Sequence, residues 1–377
     1  MQATPFIKKK IQNSTIVWLL KSNRYVQLEE PAWFVFSKTI KKYKAETIAA
    51  QCVARYGITP EESLTFVNDI RSGMEEMNQP QAHEGKNAGF PTEIQTHRYQ
   101  PYSIRHYRFG ENIVEFSYET SLFENYIHPL IGHLETTEIT VEASAFELFA
   151  YDDQIVFRLK GEVKGVWTSE ETHLVKGLIF MNLVNVMFKK TDDHWLMTVH
   201  ASAITNGKKT ILISAGPGCG KTTMAAMLQD RGFRLVSDDF VPIDRQTFHA
   251  WPFPIAMSVK QGSVSLLSSL YPDLEQKPLN YITPEKSVRY LSHEFSKKAF
   301  PVKEFIFIQY DPTVDFEWEK LDQVTGIKFL LDQSWISPTE GNAEILLDLL
   351  SKWSFYQLTY SNNQKALDTI TRLFAQD

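Results

Sequence analysis

The stretch Ala215-Gly216-Pro217-Gly218-Cys219-Gly220-Lys221-Thr222 decides the fold of this chain. It has the pattern of the glycine-rich loop that joins a β-strand to an α-helix and wraps phosphate groups, with alanine in place of the first glycine. The run 210–213 before it predicts the strand, and the run 222–229 after it predicts the helix. Glycines let backbone N–H groups turn toward phosphate oxygens, and the helix N-terminus adds the positive end of its dipole. The loop therefore predicts a site for ATP or GTP.

Two side chains of this loop have chemical roles in the pattern. Lys221 is expected to contact the β- and γ-phosphates, and the hydroxyl of Thr222 is a predicted ligand of Mg²⁺. The residues expected to surround the nucleotide are Gly216, Pro217, Gly218, Cys219, Gly220, Lys221, Thr222 and Thr223.

The composition argues against several classes of protein. A chain of 377 residues has room for two or three domains, and a net charge of −6 without a long basic run argues against a nucleic-acid partner. The most apolar run, 178–188, is too short to span a bilayer, and the lysines at 8–10 are not followed by the apolar segment of a signal peptide. Cys52 and Cys219 lie far apart, which favours a reducing compartment. We expect a cytoplasmic protein without a membrane partner.

A linker is predicted at 79–92, where Gly, Pro, Asn and Gln are frequent and no apolar period is present. It separates an N-terminal module, 1–78, from a large domain, 93–377. In the module, a β-hairpin at 15–28 precedes three helices, and Thr59 begins the third with a capping box.

The large domain is expected to have two parts. Alternating apolar and polar residues predict antiparallel sheet in a β-rich part, 93–190, and the phosphate-binding loop lies in a core, 195–377, of mixed sheet flanked by helices. The predicted fold class is thus α+β with an α/β core, preceded by a small winged-helix-like module.

A pair of aspartates, Asp238 and Asp239, follows the predicted strand 233–237, which is the next strand after the loop helix. In an α/β sheet the carboxyl ends of the strands are where ligands bind. One carboxylate there can hold Mg²⁺, and its neighbour can take the proton from an attacking hydroxyl.

Three further residues are candidates for the same site. His200, one strand before the loop, could orient an acceptor hydroxyl or contact a phosphate. Phosphoryl transfer also requires positive charge beyond the loop lysine, and the candidates for phosphate or acceptor contacts are Lys260 and Arg289. For each of the three, a purely structural or solvent-exposed role is the alternative.

The order of His200, the phosphate-binding loop and a strand ending in Asp238-Asp239 resembles the HPr kinase/phosphorylase family, whose catalytic core is shared with phosphoenolpyruvate carboxykinase. The resemblance implies an ATP- and Mg²⁺-dependent kinase in which Asp238 is the base toward a serine hydroxyl, Asp239 supports Mg²⁺ and His200 lies at the acceptor site. The family's downstream Glu-x-Arg-Gly-x-Gly segment is absent, since this chain reads Trp251-Pro-Phe-Pro-Ile-Ala-Met-Ser-Val-Lys260 there. The chain is more similar to HPr-kinase-like proteins of biosynthetic gene clusters, some of which phosphorylate peptides.

The N-terminal module, over about residues 10–78, resembles the PqqD-like domain. That resemblance implies recognition of the leader of a ribosomally made precursor peptide, which a small sheet can accept as an added strand. A module that only packs against the kinase or supports a dimer is the alternative.

Together these features predict a kinase that phosphorylates a Ser or Thr hydroxyl of a precursor peptide recruited through residues 10–78. The alternatives are a kinase of a free small molecule, an HPr-type protein serine kinase, and a non-catalytic module that binds ATP as a regulatory ligand. The sequence leaves open the acceptor residue, any later modification, the choice between ATP and GTP, and whether the protein forms a homo-oligomer.

Overall fold

The computed structural model describes residues 6–80, 90–140, 143–283, 286–292, 295–337 and 339–376. Most of the predicted linker, 79–92, lies outside the described residues. The chain divides into two compact units, and the first takes in the described part of Met1–Ala88 together with Asp322–Lys328 and Ile336–Lys352. No helix in the described part of the chain is long and apolar enough to cross a membrane.

The first unit contains an antiparallel sheet of three strands followed by three helices. The elements are β1 (Phe6–Ile11), β2 (Ser14–Leu19), β3 (Arg24–Glu29), α1 (Glu30–Ile40), α2 (Ala45–Tyr56) and α3 (Pro60–Met77). Helix α3 begins as the sequence predicts, because Thr59 and Glu62 exchange the two hydrogen bonds of a capping box. The predicted hairpin is β2 and β3, and strand β1 is an addition that the sequence reading missed.

Segments far along the chain complete this unit. Helix Glu340–Leu349 packs against β1, and Lys9 on that strand forms an ion pair with Asp348 on the helix. The module expected at 1–78 therefore has partners from the C-terminal part of the sequence, which local patterns do not reveal. A winged-helix identity for the module stays a prediction.

The second unit, Gly89–Leu321 with Phe329–Trp335 and Trp353–Asp377, contains the mixed α/β architecture that was expected around the phosphate-binding loop. A five-stranded sheet has the order β4-β5-β6-β7-β8. Its strands are β4 (Ser103–Phe109), β5 (Asn112–Tyr118), β6 (Ser144–Tyr151), β7 (Gln154–Leu159) and β8 (Glu162–Trp167). It is antiparallel except between β5 and β6, which run parallel because a helix, Ser121–Ile131, crosses between them. The expectation of a purely antiparallel sheet is corrected at that pair.

A ten-stranded mixed sheet forms the core around the loop. The strands of a separate three-stranded sheet lie between β14 and β18 along the chain. The ten strands are β9 (Trp195–Val199), β10 (Ser202–Thr205), β11 (Thr210–Ser214), β12 (Arg234–Ser237), β13 (Val241–Asp244), β14 (His249–Ala250), β18 (Phe300–Tyr310), β19 (Phe316–Lys320), β20 (Ser334–Ile336) and β21 (Ser354–Tyr360). The smaller sheet comprises β15 (Met257–Lys260), β16 (Asn280–Thr283) and β17 (Lys286–Leu291).

Eleven α-helices occur in the part of the chain that the structure describes. Those after α3 are α4 (Thr92–Thr96), α5 (Ser121–Ile131), α6 (Thr172–Phe188), α7 (Lys221–Asp230), α8 (Gln261–Ser268), α9 (Gln323–Asp332), α10 (Glu340–Leu349) and α11 (Asn363–Ala375).

The direction of three strands brings the site residues to one edge of the core sheet. Strand β10 is antiparallel to both β11 and β12, so β11 and β12 run in the same direction on either side of it. Their carboxyl ends therefore meet at one edge, and β11 leads there into the phosphate-binding loop while β12 leads into Asp238. Strand β11 is fully buried, and each buried Ile or Leu in it contributes roughly 1.5–3 kcal/mol of burial free energy, which fixes the base of the loop.

Candidate functional site

The phosphate-binding loop joins β11 to α7, as the sequence predicts. Gly218 and Gly220 have φ values of +91° and +93°, a region that L-residues with a side chain avoid. A Cβ on Gly220 would also lie 3.0 Å from the hydroxyl oxygen of Tyr360. Glycine at 220 is thus required both by the backbone conformation and by its neighbour.

Asp238 is enclosed beside the start of α7. Its Oδ1 accepts a hydrogen bond of 2.5 Å from the hydroxyl of Ser202, and its Oδ2 accepts one of 3.2 Å from the hydroxyl of Thr222. Only 1% of the residue is exposed. Burial raises the pKa of Asp238 to about 6, and the negative charge of Asp239 acts in the same direction, while Lys221 opposes both.

Asp239 lies on the pocket side of this arrangement. Its carboxylate forms an ion pair with Lys221, and 37% of its side chain is exposed. Burial disfavours the charged form, but Lys221 and His200 outweigh it and lower the pKa of Asp239. Its φ of +62° lies in the left-handed region, which aspartate adopts more readily than most residues other than glycine.

The sequence assigned Mg²⁺ to Thr222 and Asp239 and the base role to Asp238. The structure instead brings Thr222 together with Asp238, and it turns Asp239 toward Lys221 and the pocket. A hydroxyl and a carboxylate 3.2 Å apart are oxygen ligands of the kind Mg²⁺ takes in nucleotide sites, where phosphate oxygens and waters complete its shell. The donor set of Thr222 and Asp238 therefore fits the ion.

His200 lines the pocket and contacts the backbone of Asp239. Its Nδ1 is 3.1 Å from the backbone oxygen of Asp239, and a carbonyl oxygen can only accept, so Nδ1 carries the proton. Burial and the nearby Lys221 lower the pKa of His200, which keeps the ring neutral at pH 7. In that tautomer Nε2 has a free lone pair that can accept a hydrogen bond from a hydroxyl.

A pocket of about 190 Å³ lies in front of the loop. Its lining includes the loop residues 216–218 and 220–223, His200 and Asp239, and three lysines from other elements. These lysines are Lys176 on α6, Lys260 on β15 and Lys286 on β17. The pocket thus presents mainly cations to a ligand held by the loop.

Of the two cations that the sequence proposed, one lies at the loop and the other does not. A Cβ on Gly218 would be 3.6 Å from Nζ of Lys260, so this ammonium lies over the loop. Arg289 lines no part of the pocket, and its Nη1 donates to the backbone oxygen of Lys277 at 2.9 Å. The reason is the alternation of β17, which turns 286, 288 and 290 toward the pocket and 289 away from it.

Sequence reasoning missed Lys176 and Lys286. Lys286 carries no local signal, because a lysine on a partly exposed strand is common. Lys176 does have one, since it is the sole Lys, Arg, Asp or Glu in the otherwise apolar helix α6. An isolated charge in an apolar helix is expensive to bury and points to a functional contact.

Comparison with known proteins leaves the family of this chain open. No family model matches the sequence, and no curated protein matches it. Among solved structures, the chain is similar to the HPr(Ser) kinase/phosphatase from Coxiella burnetii, with 14% sequence identity over 47% of this chain and 88% of that chain and a TM-score of 0.19. A likeness this low establishes neither fold nor activity. The HPr-kinase-like and PqqD-like assignments stay predictions, and the geometry of the site has to support any function.

Proposed function

We propose that this protein is an ATP- and Mg²⁺-dependent kinase that transfers the γ-phosphoryl group to an alcohol. The observation that carries the proposal is the placement of two aspartates against the phosphate-binding loop. Asp238 meets Thr222 and Asp239 meets Lys221, so the loop lysine, the loop hydroxyl and two carboxylates converge at one edge of the sheet. Nucleotide binding alone requires no acid that is open to the pocket, whereas transfer to a hydroxyl requires a base there.

The geometry favours one division of roles between the two acids. Thr222 and Asp238 would hold Mg²⁺, which when bound neutralises charge on the β- and γ-phosphates. Asp239 would accept the proton of the acceptor hydroxyl. In the structure Lys221 pairs with Asp239, and the phosphates of a bound nucleotide compete for the same ammonium, which releases the carboxylate for that role.

The transfer step forms one bond to the γ-phosphorus and breaks another. The hydroxyl oxygen forms a bond to the γ-phosphorus, the bond from that phosphorus to the β,γ-bridging oxygen breaks, and ADP leaves with the electron pair. The hydroxyl proton passes to the carboxylate of Asp239. His200 Nε2 would orient the hydroxyl by accepting a hydrogen bond from it before transfer.

The acceptor we propose is a Ser or Thr of a precursor peptide that is recruited by the first unit. A groove of about 590 Å³ in that unit supports this part of the proposal. Apolar side chains form part of its lining, and basic side chains form another part. The apolar residues are Leu19, Phe36, Ile40, Ile70 and Met74, and the basic ones are Lys21, Lys42, Lys44 and Arg71, with Glu75 among them. A groove of this chemistry suits a peptide with apolar and acidic side chains.

Mass spectrometry of the reaction product is the direct test. The full chain is incubated with MgATP and a leader-bearing precursor peptide that contains Ser and Thr, and we expect a gain of one phosphate on a Ser or Thr. Lys221→Ala should abolish the gain, and Asp239→Asn should slow it by roughly 10²-fold or more. Nucleotide binding without any phosphorylated product would contradict the kinase and favour the regulatory module, and phosphorylation of purified HPr in its place would favour an HPr-type kinase.

A further inference from the structure

Helix α6 carries one lysine into the phosphate pocket. Lys176 has buried neighbours on both sides along α6. Val175 comes directly before it, Ile179 and Phe180 lie about one turn after it, and all three pack into the core. Its ammonium lies 4.5 Å from the ring centroid of Tyr126, and no carboxylate of the described residues forms an ion pair with it. The aromatic ring only partly compensates for removing the ammonium from water.

Such a lysine costs stability unless a ligand pairs with it. Burial lowers the pKa of Lys176, which reflects this cost, and Asp239 is near enough to oppose the shift. A Leu or Met at 176 would suit the apolar helix better. Because Lys176 is half-buried and lines the phosphate pocket, an anion that enters the pocket would pair with its charge.

The charges that line the pocket indicate which anion this is. Lys176, Lys221, Lys260 and Lys286 face two aspartates, so the pocket has an excess of positive charge before a ligand binds. That positive excess is opposite in sign to the net negative charge of a magnesium-bound nucleoside triphosphate, and so it complements that ligand. The three lysines outside the loop therefore suit phosphate groups.

The three lysines have different surroundings in the pocket. Lys260 lies over Gly218, in the part of the loop that wraps the phosphate chain. Lys286 is on the exposed wall of the pocket. Lys176 lines the pocket together with Asp239, the carboxylate that meets the acceptor hydroxyl in the proposed reaction, and Lys176 and Lys260 both interact with that carboxylate.

We propose that Lys176 contacts the γ-phosphoryl group while it is transferred, as an arginine does in many other phosphoryl-transfer enzymes. The inference rests on the proposed kinase function and adds a catalytic residue to it. Because the equatorial oxygens of the phosphoryl group carry the charge of the transition state, Lys176 should bind that state more tightly than ADP.

A transition-state analogue tests this without knowledge of the acceptor. Binding of MgADP and of MgADP with aluminium fluoride is measured by isothermal titration calorimetry on the full chain and on Lys176→Met, which keeps the length of the side chain. We expect MgADP to bind within about twofold of the unchanged protein and the aluminium fluoride complex to bind at least tenfold more weakly. Lys176→Arg should recover part of the loss.

Two controls separate this role from a structural one. Lys189→Met makes the same substitution at the exposed C-terminal end of the same helix and should change neither affinity. The thermal midpoint of Lys176→Met should not fall, because a half-buried charge without an ion-pair partner among the described residues is removed.

The outcomes also separate this inference from the proposed function. Suppose that the unchanged protein binds the aluminium fluoride complex more tightly than MgADP. If Lys176→Met then binds that complex as tightly as the unchanged protein does, the role of Lys176 is overturned and the proposed kinase function is not. Equal losses for both ligands would show a general phosphate contact and also overturn it. If the unchanged protein binds neither ligand, the kinase and the inference fail together.

Discussion

At the scale of single residues, the two adjacent aspartates differ more than their sequence suggests. Asp238 is enclosed by Ser202 and Thr222, whereas Asp239 is partly open and paired with Lys221. The sequence places both at the end of β12 but cannot say which turns inward, because a left-handed residue at 239 reverses the simple alternation of a strand. That one backbone conformation is the reason why the roles proposed here for the two acids differ from the sequence-based assignment.

Substitution of each aspartate by asparagine distinguishes the two roles. Asp239→Asn should leave MgADP affinity near that of the unchanged protein and lower turnover by roughly 10²-fold or more, the contribution of a general base. Asp238→Asn should raise the Mg²⁺ concentration needed for nucleotide binding. Because loss of residues that only support a metal ligand weakens metal binding roughly 10–100-fold, loss of a ligand should raise this concentration at least as much. Calorimetry over a series of Mg²⁺ concentrations and steady-state kinetics measure both. The reverse pattern would restore the assignment made from sequence.

A buried carboxylate away from the site gives a pH-dependent prediction of stability. Asp244 Oδ1 accepts hydrogen bonds of 2.7 Å from the backbone N–H groups of Gln246 and Thr247, and its Oδ2 lies 2.8 Å from Nε2 of His194. Burial would raise the pKa of Asp244, but the two backbone donors outweigh it and lower the pKa. A lowered carboxyl pKa contributes stability that is present above the unfolded-state pKa and is lost as the pH falls through the folded-state pKa.

Asp244→Asn should therefore lower the free energy of unfolding by about 1–3 kcal/mol at pH 7. The difference between variant and unchanged protein should shrink as the pH falls below about 4, where the unfolded aspartate takes up a proton. Urea titrations at several pH values measure it. Asp273→Asn, at an exposed position, is the control, and a difference that stays constant with pH would contradict this explanation.

At the scale of elements, the parts that sequence predicted are those with strong local signals. The strand and helix around the loop, the capping box of Thr59 and the hairpin of β2 and β3 all depend on neighbouring residues. Strand β1 was missed because three consecutive lysines hide its alternation. The parallel pairing of β5 with β6 and the approach of α6 to the pocket depend on long-range packing, which one sequence does not encode in a local pattern.

The loop glycine at 220 gives a prediction at this scale. Gly220→Ala places a Cβ 3.0 Å from the Tyr360 hydroxyl and in a left-handed conformation that costs roughly 1–2 kcal/mol for an L-residue. The loop must shift at the N-terminus of α7, so nucleotide affinity should fall at least tenfold together with a lower thermal midpoint.

Gly232→Ala is the matched control for that substitution. Gly232 has a φ of +90° and no atom within 4 Å of an added Cβ, so it shares the backbone strain without the collision. It should lower the thermal midpoint and leave nucleotide affinity unchanged. Equal affinities for both variants would show that the loop tolerates alanine at 220.

At the scale of the whole molecule, the composition of the first unit decides how peptide recruitment can be tested. Residues 336–352 belong to the same compact unit as the N-terminal segment, and Asp348 pairs with Lys9 there. Deletion of the N-terminal segment would leave α10 without its partner strand, so a loss of activity in such a truncation would not identify a peptide site. Substitutions in the full chain avoid this problem.

Reversal of charge in the groove should lower kcat/KM for a peptide that carries its leader. Lys42→Glu with Lys44→Glu removes two of the basic side chains that line it, and kcat/KM for the full precursor should fall at least tenfold, mainly through KM. A bound leader holds the acceptor at an effective concentration of about the millimolar range, and this advantage is lost with the leader contact. Activity toward the same peptide without its leader should stay the same in the variant and the unchanged protein.

A matched pair of Lys→Glu substitutions on edge strand β1 tests whether the leader binds in the groove or at the edge of the sheet. Lys8→Glu with Lys10→Glu changes two exposed charges on β1, where a leader added as a fourth strand could pair. If the groove binds the leader, this variant should keep its kcat/KM because no groove residue is altered. A loss of activity confined to the β1 variant would show that the leader binds at the sheet edge. If the unchanged protein phosphorylates peptides with and without a leader equally well, a kinase that needs no leader, such as a kinase of a free small molecule, is favoured.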